Sequence, residues 1–197
     1  MPTRATVIRT TTMTGDDAVT GARRDVAVIM CRGASRRFGA PKALACVGND
    51  PRPLLRRVAD CFTGRFAGGI IVITTGDLAA SCRSTLEGVP DVIVVPGPGG
   101  GDTALTLALA WEHLAALVPP CTHVWAHPVD VPDVAARTLG QLAADSAALP
   151  ERAGSLVLDR ARTYGTSALA VYRAGALADL EEADEVSQDA RVVEGQG

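Results

Sequence analysis

The chain has 197 residues, 47% of them hydrophobic and 21% charged, with a formal net charge of −3. That balance supports one globular core, and the chain offers neither the run of about 18 apolar residues that a membrane span needs nor a chain-wide basic surface for nucleic acid. Membrane and nucleic acid are therefore not expected as partners. The N-terminus shows no basic-then-apolar leader pattern, so a cytoplasmic location is the expectation. Five cysteines (Cys31, Cys46, Cys61, Cys82 and Cys121) form no CxxC pair, which points to reduced, mostly buried thiols rather than a disulfide framework or a zinc site. The oligomeric state is not determined by any of these features.

Charge is unevenly spread. Residues 21 to 65 carry ten basic and three acidic side chains, a local +7, whereas residues 175 to 197 carry seven acidic and one basic, a local −6. The first segment can attract a compact anion, and the second reads as a solvated face.

Residues 1 to 24 are Thr-rich without a periodic apolar face and read as a flexible extension, leaving 25 to 197 as a single domain. VAVIM (26–30), GIIVITT (69–75), DVIVVPG (91–97) and the run starting THVWAHP at 122 are short apolar stretches bounded by turn residues, as buried parallel strands are. Helical patterns lie between them: PLLRRVADCF from Pro53, DLAASCRSTL opened by Asp77, and TALTLALAWEHLAAL from Thr103. A further helix is expected over 134–149. Two strands, SLVLDRAR (155–162) and TSALAVYR (166–173), should pair antiparallel because their link is too short for a crossover, and a last helix, AGALADLEEAD, should follow. Strands alternating with helices predict an α/β fold, a Rossmann-like three-layer α/β/α arrangement with a mostly parallel sheet. Such sheets bind ligands beyond the carboxyl ends of their strands, where strand order reverses. That directs attention to the loop after Met30, to the glycines at 99–101 and to PVDVP (128–132).

The loop after Met30 holds Arg32, Arg36, Arg37 and Lys42 with Gly33 and Gly39, and Lys42 is the chain's only lysine. Successive backbone amides in a Gly-containing turn make an anion cradle, and nearby cations add charge, so a polyphosphate suits the arrangement. The loop is not a Walker A sequence, because Lys42 follows Gly39 by three and precedes Ala43. Nor is it a dehydrogenase dinucleotide loop. Arg37 stands where close approach to pyrophosphate asks for glycine, and the lone lysine has no tyrosine four residues before it.

MCRGASRRFGAPK (30–42) resembles the signature Leu-Ala-Ala/Gly-Gly-x-Ser/Gly-x-Arg-Met/Phe-Gly-x-x-Lys of MobA/MocA-like NTP transferases, the molybdenum cofactor guanylyl- and cytidylyltransferases, with Gly33, Ser35, Arg37, Gly39 and Lys42 in register. HVWAHPVDVP is similar to that family's strand ending in a metal-binding Asp-x-Pro, and GGGDTALTLALA resembles its Gly-x-x-Ser/Thr-Ser/Thr-Leu helix start. The resemblance spans roughly residues 25 to 192. It implies a nucleotidyltransferase that moves NMP from CTP or GTP to a phosphorylated small-molecule acceptor such as molybdopterin, releasing pyrophosphate. By the same resemblance Arg37, Lys42 and Asp130 would be catalytic, with Asp130 holding Mg²⁺, while Gly33, Ala34, Ser35, Gly39, Gly101 and Thr103 would line the nucleotide. Arg32 replaces a small residue of the family pattern, and YGTSALAV and QDARVV stand where the cytidylyl branch has Gly-His-Pro and Gly-Ala-Arg. Two alternatives follow: a transferase for another phosphorylated metabolite, or an inactive nucleotide-binding module. His123 reads as structural, His127, adjacent to the Asp130 loop, as able to face the site, and Trp111 and Trp125 as core residues.

Overall fold

The structure is a computed structural model that describes residues 25–33, 39–99, 103–115, 121–134, 136–148, 154–157 and 169–173. In chain order these form β1 (Asp25–Met30), a 3₁₀ turn (Lys42–Leu44), α1 (Leu54–Phe62), β2 (Ile70–Thr75), α2 (Ala79–Thr85), β3 (Val92–Gly97), α3 (Thr103–Ala115), β4 (His123–Pro128), α4 (Ala136–Ala148), β5 (Gly154–Val157) and β6 (Leu169–Arg173). The expected extension over 1–24 and the last helix over 174–184 lie outside the described residues.

All six strands join one sheet in the order β3-β2-β1-β4-β6-β5. The first four are parallel, and β6 runs antiparallel to both β4 and β5. The apolar runs have two periodic faces because both sides of the sheet are covered. Ala27, Ile29, Ile70, Val72 and Trp125 pack with α1, α2 and α4. Their neighbours Val26, Val28, Ile71, Ile73, Val124 and Ala126 pack with α3. The expected three layers are present.

Each helix follows from its apolar spacing. On α1 the buried side chains are Leu54, Leu55, Val58, Ala59 and Phe62, one stripe at helical period, while Arg56 and Asp60 pair at 2.9 Å on the outer face. Phe62 is fully buried, and truncating it to alanine would cost about 3–5 kcal/mol. On α3 the stripe is Leu107, Ala110 and Leu114. Two helix starts differ from expectation. Pro53 is the residue before α1 rather than its first residue, held extended (ψ 149°) by an isolated bridge to Cys46. Asp77 does not open α2, which begins at Ala79 after a turn closed by Leu78 N–H on Thr75 O at 3.1 Å.

Helices α1 and α2 cover one face while the chain steps outward from β1 to β3. Helix α3 covers the other face as the chain returns to β4 on the far side of β1. Right-handed crossovers require that change of face when direction reverses. The reversal point lies between β1 and β4, whose register places Met30 opposite Pro128. Both strands therefore end side by side, and Val129 N–H continues the ladder to Met30 O at 3.3 Å.

Candidate active site

Beyond Met30 the chain leaves the sheet through Cys31, Arg32 and Gly33 and re-enters the described structure at Gly39, which has φ +71° and so favours glycine. Pro41 then opens the 3₁₀ turn, closed by Leu44 N–H on Pro41 O and Ala45 N–H on Lys42 O, both at 3.0 Å. Ala43 is buried in the core beneath this turn, which fixes its neighbour Lys42 at the protein surface. On the other side, Pro128 to Val131 make a turn at the end of β4 that carries Asp130 outward.

These two turns meet. Lys42 Nζ lies 2.9 Å from Asp130 Oδ2, and both side chains are partly exposed, at 38% and 45%. An ion pair so accessible to water contributes about 0–1 kcal/mol, so exchanging it for a phosphate and a cation costs the fold little. The pair forms one wall of an open cleft of about 540 Å³, part of it continuous with solvent, lined also by Met30, Gly33, Leu78 and Val129.

Three buried or half-buried side chains hold the walls of this cleft. His127 is fully buried, stands edge-on to Phe62 of α1 with ring centroids 5.6 Å apart, and its Nε2 is 2.6 Å from Val131 O, the carbonyl one residue past Asp130. A carbonyl accepts only, so Nε2 carries the proton and donates. Arg57 of α1 donates to Val47 O at 3.0 Å and to the Asp133 carboxylate, tying the segment after Lys42 to the segment after Asp130. Arg32 is 4% exposed; its Nε and Nη2 donate to Pro98 O at 3.1 and 2.8 Å, and its Nη1 donates to Thr106 Oγ1 at 3.2 Å. It thereby joins the loop after β1 to the segment between β3 and α3. Gly97 lies against this junction: a Cβ there would stand 2.7 Å from Leu109 Cδ1, the tip of a side chain on α3, and 3.5 Å from Arg32 Nε, an ordinary contact.

The expected site residues divide accordingly. Lys42 and Asp130 come together, Gly33 lines their cleft, and Gly39 is a left-handed residue three positions before Lys42. Thr103 is exposed at the start of α3. Ala34, Ser35, Arg37 and Gly101 lie outside the described residues. His127 faces the core under Phe62 rather than the cleft, which corrects the expectation for it, since its ring sits on the α1 side of the sheet. His123 is buried, its Nδ1 3.4 Å from Asp25, and Trp125 Nε1 donates to the same carboxylate at 2.9 Å, both at the opposite end of the sheet from the cleft. Burial of the thiols is less general than expected: Cys31 and Cys82 are buried, Cys61 and Cys121 half-buried, and Cys46 exposed. Sequence reasoning missed Arg57, whose only sequence signal is a second arginine on the first turn of α1.

The donor set bears on which metal the site suits. Among the described residues no three His, Cys, Asp or Glu side chains gather as a metal cage. A carboxylate as exposed as Asp130, 2.9 Å from an ammonium, is the kind of oxygen donor that a hard divalent cation retaining most of its waters, such as Mg²⁺, accepts.

A family profile described as MobA-like NTP transferase domain matches residues 27–196. The chain belongs to that family. This MobA-like domain is accordingly a nucleotidyltransferase of the three-layer α/β/α fold, and solved structures similar to it agree on the fold. A 4-diphosphocytidyl-2C-methyl-D-erythritol synthase from Anaerococcus prevotii is 16% identical, with 81% of this chain and 74% of that chain aligned at a TM-score of 0.58. A cytidylyltransferase from Leptospira borgpetersenii is 15% identical, with 83% and 65% covered and a TM-score of 0.59. Rv0371c of Mycobacterium tuberculosis, in a complex with manganese, is 21% identical, with 81% and 75% covered and a TM-score of 0.56. No curated protein matches the sequence significantly. Among the described residues no helix is long and apolar enough to cross a membrane.

Proposed function

We propose that this MobA-like domain transfers a nucleoside monophosphate from CTP or GTP to a phosphorylated small-molecule acceptor, with a molybdopterin-type phosphate as the leading candidate, and releases pyrophosphate. The observation that carries the reading is the meeting of Lys42 and Asp130 across the β1/β4 cleft at 2.9 Å. An ammonium and a carboxylate at the strand-order reversal supply what a metal-bound triphosphate needs: a cation for its oxygens and a carboxylate for its metal.

In this reading the backbone amides of the Gly33–Ser35 segment cradle the triphosphate, and Arg37 and Lys42 neutralise its oxygens. Gly101 and Thr103 border the nucleotide. Asp130 would hold Mg²⁺, which supplies charge neutralisation on the phosphates when bound. An oxygen of the acceptor's phosphate attacks the α-phosphorus; the new P–O bond forms as the bond from the α-phosphorus to its bridging oxygen breaks, and the electron pair leaves with pyrophosphate. The chain's task is to hold the reactants in line and offset charge, and Lys42 suits it. A compact ammonium on a flexible stem can follow a phosphate whose charge moves, where a planar guanidinium imposes one geometry. Arg32 donates to Pro98 O and Thr106 Oγ1 and is not among the residues lining the cleft, so its replacement of a small residue is compatible with nucleotide binding there. A cytoplasmic location and a single domain over 25–197 belong to the same proposal.

Thermal unfolding with each NTP, with and without Mg²⁺, tests nucleotide binding. Ligand at about 100 times its Kd adds roughly 2.7 kcal/mol, raising the midpoint by about 5–10 °C in a domain of this size. Pyrophosphate release with candidate acceptors then tests transfer. A midpoint unmoved by every NTP with metal would remove the proposal, and a shift without pyrophosphate release from any acceptor would leave the binding module in its place.

A further inference from the structure

The turn that presents Asp130 is short, exposed at its tip and placed on the rim of an open cleft. Left to itself, such a turn samples several orientations, and a carboxylate on it meets a cation with correspondingly poor geometry. Its own backbone closure is weak, because Val131 N–H reaches Pro128 O at only 3.4 Å. The stronger restraint comes from beneath. His127 Nε2 lies 2.6 Å from Val131 O, so the imidazole spans the turn from its stem to the residue after Asp130. The imidazole cannot swing away. It is fully buried, its edge is set against the Phe62 ring at 5.6 Å and 82°, and Phe62 is itself fully buried. A rigid chain of contacts thus runs from the core of α1 through one ring to the carbonyl beside Asp130. An apolar residue could fill core volume here, but it could not donate to Val131 O as the His127 imidazole does.

We propose that His127 is a positioning residue for divalent-cation binding: its Nε2–H bond to Val131 O holds the Asp130 carboxylate in the orientation that receives the metal of a metal–nucleotide complex. The inference rests on the reading of Asp130 as the metal-holding group. Residues that orient a ligand without touching the metal typically change affinity by about 10- to 100-fold when replaced, and His127 should fall in that range.

The test uses the full chain with Mn²⁺ as the probe, its binding in the presence of CTP or GTP followed by the loss of its free-ion EPR signal, beside a thermal midpoint for each variant. His127→Phe keeps a ring against Phe62 and removes the donor; His127→Gln keeps a donor near the Nε2 position. The Phe variant is expected to weaken Mn²⁺ binding by about 10- to 100-fold, and the Gln variant to return most of that loss. Should the Phe variant not fold, His127→Met fills the volume without a donor and takes its place. Asp130→Asn is the reference. If it abolishes Mn²⁺ binding while the donor-less variants bind as the parent does, or if Gln fails as badly as Phe with an equal fall in midpoint, the positioning role is overturned and the metal reading of Asp130 stands. If Asp130→Asn leaves Mn²⁺ binding unchanged, the reading of Asp130 itself fails, and the role of His127 with it.

Discussion

Lys42 Nζ donates to Asp130 Oδ2 at 2.9 Å although 88 positions of sequence separate the two residues. Neither side chain is buried, and an exposed pair is a weak stabiliser. The relationship therefore predicts a separation of effects. Lys42→Met and Asp130→Asn should each change the stability of the ligand-free protein by no more than about 1 kcal/mol. Both should remove most of the midpoint rise that NTP and metal together produce. Lys42→Arg sharpens the comparison: it should bind nucleotide but lose transfer rate, and full activity in that variant would reduce the requirement at this position to positive charge alone. Urea unfolding without ligand, thermal shifts with ligand and pyrophosphate release measure the three quantities.

The layers of the fold were legible in the sequence because parallel strands covered on both faces must be continuously apolar. VAVIM, IIVITT and VIVVPG have no polar face to disguise them. Lys42 and Asp130 were legible for a related reason: Asp130 stands just beyond β4 and Lys42 lies in the loop that follows β1, and sheet topology brings the ends of those two strands together. What pattern reading could not supply was the direction of individual side chains. A histidine next to a functional loop reads equally well as facing in or out, and the structure turns His127 inward to Phe62. Arg57 was missed because its partners, Val47 O and Asp133, are 10 and 76 residues away, and no local spacing encodes such a bond.

Arg32 predicts a structural loss that charge alone cannot repair. Its guanidinium places two donors on one carbonyl, Pro98 O, and a third on Thr106 Oγ1. Hydrogen bonds from a charged group contribute about 1.5–3 kcal/mol each before coupling among them is counted. Arg32→Met should lower stability by about 2–4 kcal/mol. Arg32→Lys should recover little of it, since an ammonium cannot reproduce the planar fork. Equilibrium urea unfolding of the two variants checks this. A Lys variant as stable as the parent would show that the position needs only a buried cation.

The thiols should react in an order set by exposure and burial. Cys46 is exposed, whereas Cys31 and Cys82 are buried, and burial pushes both of those thiols above the ordinary cysteine range. Burial raises Cys121 as well, to about 11. A disulfide reagent at pH 8 should therefore modify Cys46 first, Cys121 slowly, and Cys31 and Cys82 only on unfolding, because the thiolate is the reacting form. Mass spectrometry of tryptic peptides over a time course reads the order. Early labelling of Cys31 would contradict its place in the core between β1 and α2.

Acid stability carries the signature of Asp50. The Arg52 guanidinium and backbone N–H both donate to this carboxylate, and its pKa falls from 3.8 to about 2. A depressed folded-state pKa means that the native chain binds the proton less readily than the unfolded one. The contribution of Asp50 is therefore complete above the unfolded value, near 3.8, and disappears as pH drops through the folded value, near 2. Arg57, 3.5 Å away, favours the charged form further and links this carboxylate to the segment beside the cleft. In Asp50→Asn the stability deficit relative to the parent should be constant from neutral pH down to the unfolded pKa and narrow below it. Carbon-13 titration of the Asp50 carboxyl gives the direct measurement: a midpoint near 2 is expected, and an ordinary aspartate midpoint would mean that the Arg52 bonds do not persist in solution.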